Sequence, residues 1–146
     1  MDRVDYTVYT FGCANKKIQE LEGEVYRLGA TIVDIREKPY GLNKVFNRSE
    51  LQDRFGARYV WIIEFGTKNY QSGKAVEFAD AGLGAQKLGS ITADGTPVIL
   101  LCACENLREC HRDDLAKKLN EECGWKICHL PYVEIVETDR YLFPCD

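Results

Sequence analysis

The chain has 146 residues, of which 45% are hydrophobic, so it suits one domain with a single core and is not a disordered polypeptide. Its formal net charge of −4 argues against a molecule whose whole surface attracts nucleic acid. No apolar run approaches the roughly 20 residues of a membrane-spanning helix, and the first residues lack the pattern of a signal peptide. We therefore expect a single domain over residues 1–146, located in the cytoplasm and without a membrane partner.

Alternating and apolar stretches predict five strands, and stretches with helical spacing predict four helices between them. The predicted strands cover residues 6–10, 31–36, 59–65, 97–102 and 125–130. The predicted helices cover residues 18–28, 49–55, 74–88 and 110–123, with Asn15 and Ser49 as N-caps and Gly29 ending the first. Strands that alternate with helices build a parallel sheet covered on both faces. The predicted fold is α/β, a three-layer Rossmann- or flavodoxin-like sandwich with a mostly parallel sheet of about five strands, followed by a tail over residues 131–146.

Ligands of such sheets bind beyond the carboxyl ends of the strands. This rule selects the residues that follow the first four predicted strands, and these are Gly12, Asp34 with Arg36, Phe65 with Gly66, and the segment 102–112. We expect the functional site of the protein to be built from them.

The segment 102–112 contains three cysteines, a histidine and an arginine. Cys110 is expected near the first turn of its helix, where the helix dipole and Arg112 lower the pKa of a thiol. Cys110 is therefore a candidate nucleophile or redox group, and Arg112 together with free backbone N–H groups is a candidate anion site. The alternative is an ordinary buried cysteine that precedes a basic pair.

The cysteines raise two further alternatives. Cys102, Cys104, Cys110 and His111 include the residue types that bind zinc, but their spacing is not the usual C-x2-C pairing, so we expect no metal and no cofactor. The chain has seven cysteines, an odd number that cannot all pair within it. We expect reduced thiols in the cytosol, with a disulfide from Cys110 to Cys102 or Cys104 as the alternative.

Asp34 and Arg36 lie two residues apart at the end of the second predicted strand, so their side chains share a face of the sheet. The Asp34 carboxylate can be a general base, a ribose ligand or the partner that holds Arg36. A plain ion pair that closes the strand explains the same spacing. Glu64 or Glu105 can supply a second carboxylate.

The segment 36–58 holds six basic and three acidic residues, with Tyr40, Phe46 and Phe55 between them. Basic groups bind phosphates and aromatic rings stack on bases, so this segment is a candidate surface for a nucleotide or a nucleic acid. A solvated loop followed by an ordinary helix face explains the same pattern.

Several short motifs, taken in order, resemble those of the family called domain of unknown function 488. They are Tyr9-Thr10-Phe11-Gly12, Val33-Asp34-Ile35-Arg36 with Pro39, Phe46-Asn47, Tyr59, Phe65-Gly66, the strand ending at Cys102 with Glu105, Cys110-His111-Arg112 and His129-Leu130. The resemblance covers residues 6–130 and implies a compact α/β domain whose active site combines the Asp-x-Arg and Cys-His-Arg motifs. It also implies a link to nucleic-acid base modification, which gene context indicates for some members. Cys104 stands where the family places an acid, and Glu105 follows one residue later.

Three functions are compatible with these observations. The first is an enzyme that acts on a nucleotide or a nucleic-acid base. Its catalytic candidates are Asp34, Glu105 and Cys110, and its binding candidates are Gly12, Arg36, Cys102, His111 and Arg112. The second is a thiol-based enzyme of sulfur transfer, redox or phosphatase-like chemistry that does not act on nucleic acid. The third is a zinc-binding or non-catalytic interaction module. We expect the first.

Overall fold

The computed structural model describes residues 7–13, 16–36, 39, 44–65, 81–102, 115 and 126–130. Five strands form one sheet, and they are β1 (Thr7–Gly12), β2 (Thr31–Asp34), β3 (Tyr59–Trp61), β4 (Val98–Cys102) and β5 (Lys126–Leu130). The strand order is β3-β2-β4-β1-β5, and every neighbouring pair is parallel. The predicted α/β fold with a parallel sheet of five strands is confirmed.

Apolar side chains cover the sheet on both faces and form two separate cores. On one face, which we call the α1 face, the helices α1 (Ile18–Leu28) and α2 (Arg48–Phe55) pack through buried residues such as Leu21 and Leu51. On the opposite α3 face, the helix α3 (Ala81–Thr92) packs through Leu88, and the helical residue Leu115 lies in the same core. Helices on both faces of a parallel sheet give the three-layer arrangement expected for such folds.

The ends of α1 and α2 are set by short-range hydrogen bonds. Lys17 is the N-cap of α1, and its backbone N–H donates to Glu20 Oε2 at 2.7 Å, so the predicted cap Asn15 is wrong. Gly29 ends this helix as predicted, because its φ of 62° is the left-handed conformation that glycine adopts without a Cβ clash. The N-cap of α2 is Asn47 instead of Ser49, which lies one residue inside the helix.

Strand β3 is shorter than predicted. It pairs with β2 only as far as Asp34 opposite Trp61, and a 3-10 turn over Ile63–Phe65 follows. The last ladder bond runs from the Ile62 N–H to the Asp34 carbonyl at 3.0 Å. Since β3 is an edge strand, it loses its only neighbour where β2 ends, and the chain turns so that Phe65 enters the core of the α3 face.

Helix α3 begins in the described residues at Ala81 and continues to Thr92, four residues beyond the predicted end. The predicted part before residue 81 lies outside the described residues. Gly84 faces the fully buried ring of Phe65, and a Cβ added at Gly84 would meet that ring at 2.7–3.0 Å. The glycine that weakens this helix locally therefore permits its close approach to the 3-10 turn.

Alanine at Gly84 and at Gly89 is expected to change stability in opposite directions. Overpacking against Phe65 costs about 1–3 kcal/mol, which exceeds the gain of up to about 1 kcal/mol in helix propensity. Gly89 has no atom within 4 Å of the added Cβ, so Gly89→Ala keeps that gain. Urea denaturation of both variants measures the difference. Equal stabilisation of both variants would contradict the packing role of Gly84.

Cys128 in β5 is disulfide-bonded, which corrects the expectation that the thiols are reduced. Its partner is neither of the other two described cysteines, because Cys13 and Cys102 are not disulfide-bonded. The predicted alternative of a Cys102–Cys110 bridge is therefore wrong as well. Disulfides are uncommon in the cytosol, so Cys128 runs against a reducing compartment.

The helices in the described part of the chain are too short and insufficiently apolar to cross a membrane.

Candidate functional site

The strand order places a topological switch point, and the crevice expected at such a point, at the carboxyl ends of β2 and β4. These strands are neighbours, but β2 leads to β3 at one edge of the sheet and β4 leads to β5 at the other edge. Where the connections of adjacent parallel strands diverge in this way, ligands bind outside the carboxyl ends. Asp34 is the last residue of β2, Arg36 follows it, and Cys102 is the last residue of β4.

A buried ion pair occupies the β2 side of this crevice. Arg36 donates from Nε to Asp34 Oδ1 at 2.8 Å and from Nη2 to Asp34 Oδ2 at 2.6 Å. The Asp34 side chain is fully buried, and 8% of the Arg36 side chain is exposed. The predicted sharing of one face is confirmed, and the pair has the bidentate geometry that gives arginine–carboxylate contacts their strength and direction.

The carboxylate of Asp34 accepts two further hydrogen bonds. The backbone N–H of Arg36 donates to Oδ1 at 3.1 Å, and the hydroxyl of Tyr59 donates to Oδ2 at 2.6 Å. A carboxylate offers about four lone-pair sites, and these four bonds use them. Of the alternatives open at the sequence level, this geometry favours Asp34 as the group that holds Arg36, because a general base needs a lone pair for the substrate proton.

Tyr59 is a partner of Asp34 that the sequence analysis did not assign to the site. It begins β3 and pairs with Ile32, two residues before Asp34, so both side chains lie on the α1 face. Burial, with the charge of Asp34 and the hydrogen bond to it, raises the pKa of the Tyr59 phenol far above its usual value. Tyr59 therefore remains a donor to Asp34 at neutral pH. A signal for this contact was present in the strand pattern. Ile32 lies two residues before Asp34 and on the same face, so a residue that pairs with Ile32 on the next strand also lies on that face.

Arg36 is fixed in position but retains donor capacity. Its Nη2 also donates to the Phe46 carbonyl at 2.7 Å. Burial disfavours the charged form of Arg36, but the hydrogen bonds and charge of Asp34 outweigh burial, and the pKa of Arg36 is raised. Within the described ranges, no hydrogen bond is recorded for Arg36 Nη1. Among the described residues, the Nη1 end of this charged, nearly buried guanidinium thus has no acceptor.

Beside this cluster, Trp61 and Arg48 form a stacked pair. The Trp61 indole N–H donates to the Arg36 carbonyl at 2.8 Å, and the Arg48 guanidinium carbon lies 4.7 Å from the centre of the Trp61 ring. The Arg48 backbone N–H donates to the Pro39 carbonyl at 2.8 Å, which fixes the start of α2 beside the strand end. Trp61 is half-buried and Arg48 is exposed, so together they present an aromatic and cationic surface to solvent.

Cys13 is a second residue that the sequence analysis missed. It follows β1 directly, and its backbone N–H donates to the Cys102 carbonyl at 2.8 Å. Its side chain is buried in the core of the α1 face, the same face as Asp34 and Tyr59. Among the causes that raise the pKa of Arg36, the hydrogen bond and charge of Asp34 come first, and the charge of Cys13 is a smaller one. The available signal was its position directly after a strand, two residues beyond the inward-facing Phe11.

Cys102 and Asp34 lie on opposite faces of the sheet. Asp34 pairs with Leu101, which belongs to the core of the α1 face, whereas Cys102 is fully buried in the core of the α3 face. Gly12 pairs with Cys102 at the end of β1, beside Cys13. The Cys102 side chain therefore does not face the space occupied by Asp34 and Arg36. A role of the Cys102 thiol in substrate binding stays a prediction.

The remaining predicted site residues, Glu105, Cys110, His111 and Arg112, lie outside the described residues, as do Gly66 and Cys104. Their assigned roles stay predictions. Among the residues that are described, no cluster of three histidine, cysteine or acidic side chains is placed to hold a metal ion.

The basic segment 36–58 divides into groups with different partners. Arg36 is held by Asp34, Arg54 pairs with Glu22 at 3.0 Å, and the Arg58 guanidinium carbon lies 5.9 Å from the centre of the Tyr26 ring. Lys44 and Arg48 are exposed, and Lys38 lies outside the described residues. Of the described basic residues in this segment, Arg48 is therefore the exposed one that stacks on Trp61 beside the Asp34–Arg36 pair.

The sheet and its buried cluster define an α/β protein with a candidate site at a topological switch point, beyond the carboxyl ends of parallel strands. The chain belongs to the family described as domain of unknown function DUF488, whose model matches residues 18–119. The family predicted from the short motifs is thus confirmed, and the matched region includes Asp34, Arg36 and Tyr59 but not Cys13. No curated protein and no solved structure matches the chain.

Proposed function

We propose that the protein is an enzyme that acts on a nucleotide or a nucleic-acid base bound in the crevice between β2 and β4. The observation that carries this proposal is the Arg36 guanidinium, which is 8% exposed, fixed by Asp34 and Phe46, and without a recorded hydrogen bond at Nη1 among the described residues. Such a preorganised donor suits a phosphate oxygen, since little side-chain entropy is lost when the phosphate binds.

The Arg48–Trp61 pair supports a nucleotide over inorganic phosphate. Bases stack on indole rings and on guanidinium planes, and an exposed arginine beside an aromatic ring offers both surfaces. Trp61 is joined to Arg36 through the indole hydrogen bond, so the stacking surface and the phosphate donor are held relative to each other. One ligand can therefore contact both.

The charge balance of the site favours a small or single-stranded ligand over duplex DNA. Asp34 neutralises Arg36, so Arg36 contributes directed hydrogen bonds more than net charge, and the chain as a whole carries −4. Duplex binding depends on many phosphate contacts, each of which steepens the salt dependence. We expect a salt dependence that corresponds to about one or two phosphate contacts.

Within this proposal, Asp34 positions Arg36, and Glu105 and Cys110 are the candidates for proton transfer and nucleophilic attack. His111 and Arg112 would add to the binding of the phosphate. These four residues are assigned from the sequence motifs alone. They follow β4 in the sequence, and this order supports their assignment to the site.

Fluorescence of Trp61 tests the proposal directly. The chain has two tryptophans, so Trp125→Phe leaves Trp61 as the sole reporter. We expect nucleoside monophosphates or short single strands to quench its emission saturably at low salt, and Arg48→Ala to weaken binding at least about fivefold, roughly 1 kcal/mol. Calorimetry on the same ligands confirms binding independently, because Arg48→Ala also changes the environment of the indole.

Arg54→Ala is the matched control, since Arg54 is an exposed arginine of the same helix that pairs with Glu22 away from Trp61. Its nucleotide affinity is expected to match that of the unsubstituted chain. The proposal is overturned if no nucleotide, DNA or RNA binds even at low salt, where phosphate contacts are strongest.

Thiol chemistry without nucleic acid is the second candidate function, and one observation favours it. The Cys13 thiol, which is not disulfide-bonded, lies on the same face of the sheet as Asp34 and Arg36. Sequence reasoning based this candidate on Cys110, but among the described residues Cys13 is the cysteine on the Arg36 face that is not disulfide-bonded.

A further inference from the structure

The hydrogen bonds that Asp34 accepts come from two different parts of the sheet. Three of them come from Arg36, which donates from its backbone N–H, from Nε and from Nη2. The fourth comes from the Tyr59 hydroxyl on the neighbouring strand β3, at 2.6 Å from Oδ2. Among the described residues, Tyr59 therefore supplies the bond that joins the Asp34 side chain to β3.

The bonds from Arg36 alone do not set the direction in which the ion pair points. The terminal torsion of an aspartate side chain is broad, so the plane of its carboxylate is weakly determined by the side chain itself. A guanidinium that is bonded to this carboxylate turns with it. The bond from Nη2 to the Phe46 carbonyl, at 2.7 Å, holds the guanidinium at one further point. A second point on the carboxylate fixes its plane, and Tyr59 occupies that point.

Strand β3 holds Arg36 in two places. Tyr59 and Trp61 lie two residues apart in this strand, and both pack against the core of the α1 face. The Trp61 indole N–H donates to the Arg36 carbonyl at 2.8 Å, whereas Tyr59 reaches the guanidinium through Asp34. The backbone and the side-chain end of Arg36 are thus both held from the strand that carries the stacking ring.

We propose that Tyr59 is a positioning residue of the Arg36 site: its hydroxyl fixes the plane of the Asp34 carboxylate, and thereby the direction in which the Nη1 end of Arg36 meets a phosphate oxygen. The inference rests on the proposed function, since it takes Arg36 as the donor to the ligand. Tyr59 acts through Asp34 and Arg36. Without its hydroxyl, a bound phosphate has to immobilise the guanidinium itself, and that loss of conformational entropy lowers the affinity.

Tyr59→Phe tests the inference because it removes the hydroxyl and keeps an aromatic ring in the core of the α1 face. Calorimetry with inorganic phosphate is expected to show an affinity about three- to tenfold lower than that of the unsubstituted chain. Tyr26→Phe makes the same chemical change on an exposed ring that lies beside Arg58, and it is expected to leave the affinity unchanged. Equal affinity of Tyr59→Phe and the unsubstituted chain would overturn the inference.

A second control separates positioning from a general loss of stability. Ile32 is fully buried on the α1 face and pairs with Tyr59 in the β2–β3 ladder. Ile32→Val removes core packing at this position and leaves the hydroxyl bond to Asp34 in place. Its phosphate affinity is expected to match that of the unsubstituted chain. If Ile32→Val weakens phosphate binding as much as Tyr59→Phe does, positioning by the hydroxyl is ruled out.

The motion of the guanidinium provides a readout that needs no ligand. ¹⁵N relaxation of the arginine Nε–H groups gives order parameters for motion on the picosecond to nanosecond timescale. In the unsubstituted chain, Arg36 is expected to be more rigid than Arg54, which pairs with Glu22 at the surface. Tyr59→Phe should lower the order parameter of Arg36, and Ile32→Val should leave it unchanged. An Arg36 as mobile as Arg54, or one that stays rigid in Tyr59→Phe, contradicts the inference.

The outcomes also separate this inference from the proposed function. If nucleoside monophosphates fail to quench Trp61 but Tyr59→Phe weakens phosphate binding, the nucleotide proposal falls and the role of Tyr59 stands. If nucleoside monophosphates bind to Tyr59→Phe as tightly as to the unsubstituted chain, the nucleotide proposal stands and the inference about Tyr59 falls.

Discussion

Asp34→Asn is expected to lower the free energy of unfolding by about 3–5 kcal/mol, because it leaves the buried Arg36 charge without its counterion. The asparagine has nearly the same shape, but its amide group cannot accept at both positions where Arg36 and Tyr59 now donate. Urea denaturation measures the loss. A cost of this size is a large part of the stability of an ordinary domain, so the variant is expected to be marginally folded at 37 °C.

The matched control is Asp53→Asn, the same chemical change at an exposed residue of α2. It is expected to change stability by no more than about 0.5 kcal/mol. If the free energy of unfolding falls by a similar amount in both variants, the Asp34–Arg36 pair does not make the large contribution to stability that is expected here.

Arg36→Lys is expected to weaken phosphate or nucleotide binding by about tenfold to a hundredfold, or roughly 1.4–2.8 kcal/mol, although the positive charge is kept. A single ammonium group cannot bridge both Asp34 oxygens, reach the Phe46 carbonyl and still present a donor to a ligand. Stability should fall as well, by about 1–3 kcal/mol for the lost charged hydrogen bonds. Calorimetry and urea denaturation measure the two effects separately.

Arg54→Lys makes the same substitution in a pair that is exposed to solvent. Exposed pairs contribute about 0–1 kcal/mol, so both readouts should stay close to those of the unsubstituted chain. Full binding by Arg36→Lys would show that charge alone is sufficient, and the argument from the guanidinium geometry would then fail.

Local sequence patterns anticipated the parts of the fold that depend on near neighbours. The strand ending at Cys102, the C-cap Gly29 and the common face of Asp34 and Arg36 follow from alternation, glycine chemistry and a spacing of two. The N-caps of α1 and α2 were each missed by two residues because several polar residues lie near the start of each helix. Their choice depends on hydrogen bonds such as that of Lys17 with Glu20.

The sequence could not predict on which face of the sheet the Cys102 side chain lies. All five residues of β4 are buried, so the strand has no polar face against which to set the direction of its last side chain. The same limit applies to charge: Arg54 looks like part of a basic surface until folding brings Glu22, 32 residues away in the chain, to its side. Both features depend on contacts that local periodicity does not contain.

The saturation of Asp34 has a consequence for how this site can change over evolutionary time. One carboxylate joins the end of β2, the start of β3 through Tyr59 and, by way of Arg36, the turn at Phe46. A mutation that changes Arg36 to suit a different ligand therefore also weakens the hydrogen bonds that join these three segments of the fold. New specificity in this lineage is expected to arise at exposed positions such as Arg48, where a substitution alters what is bound at little cost in folding.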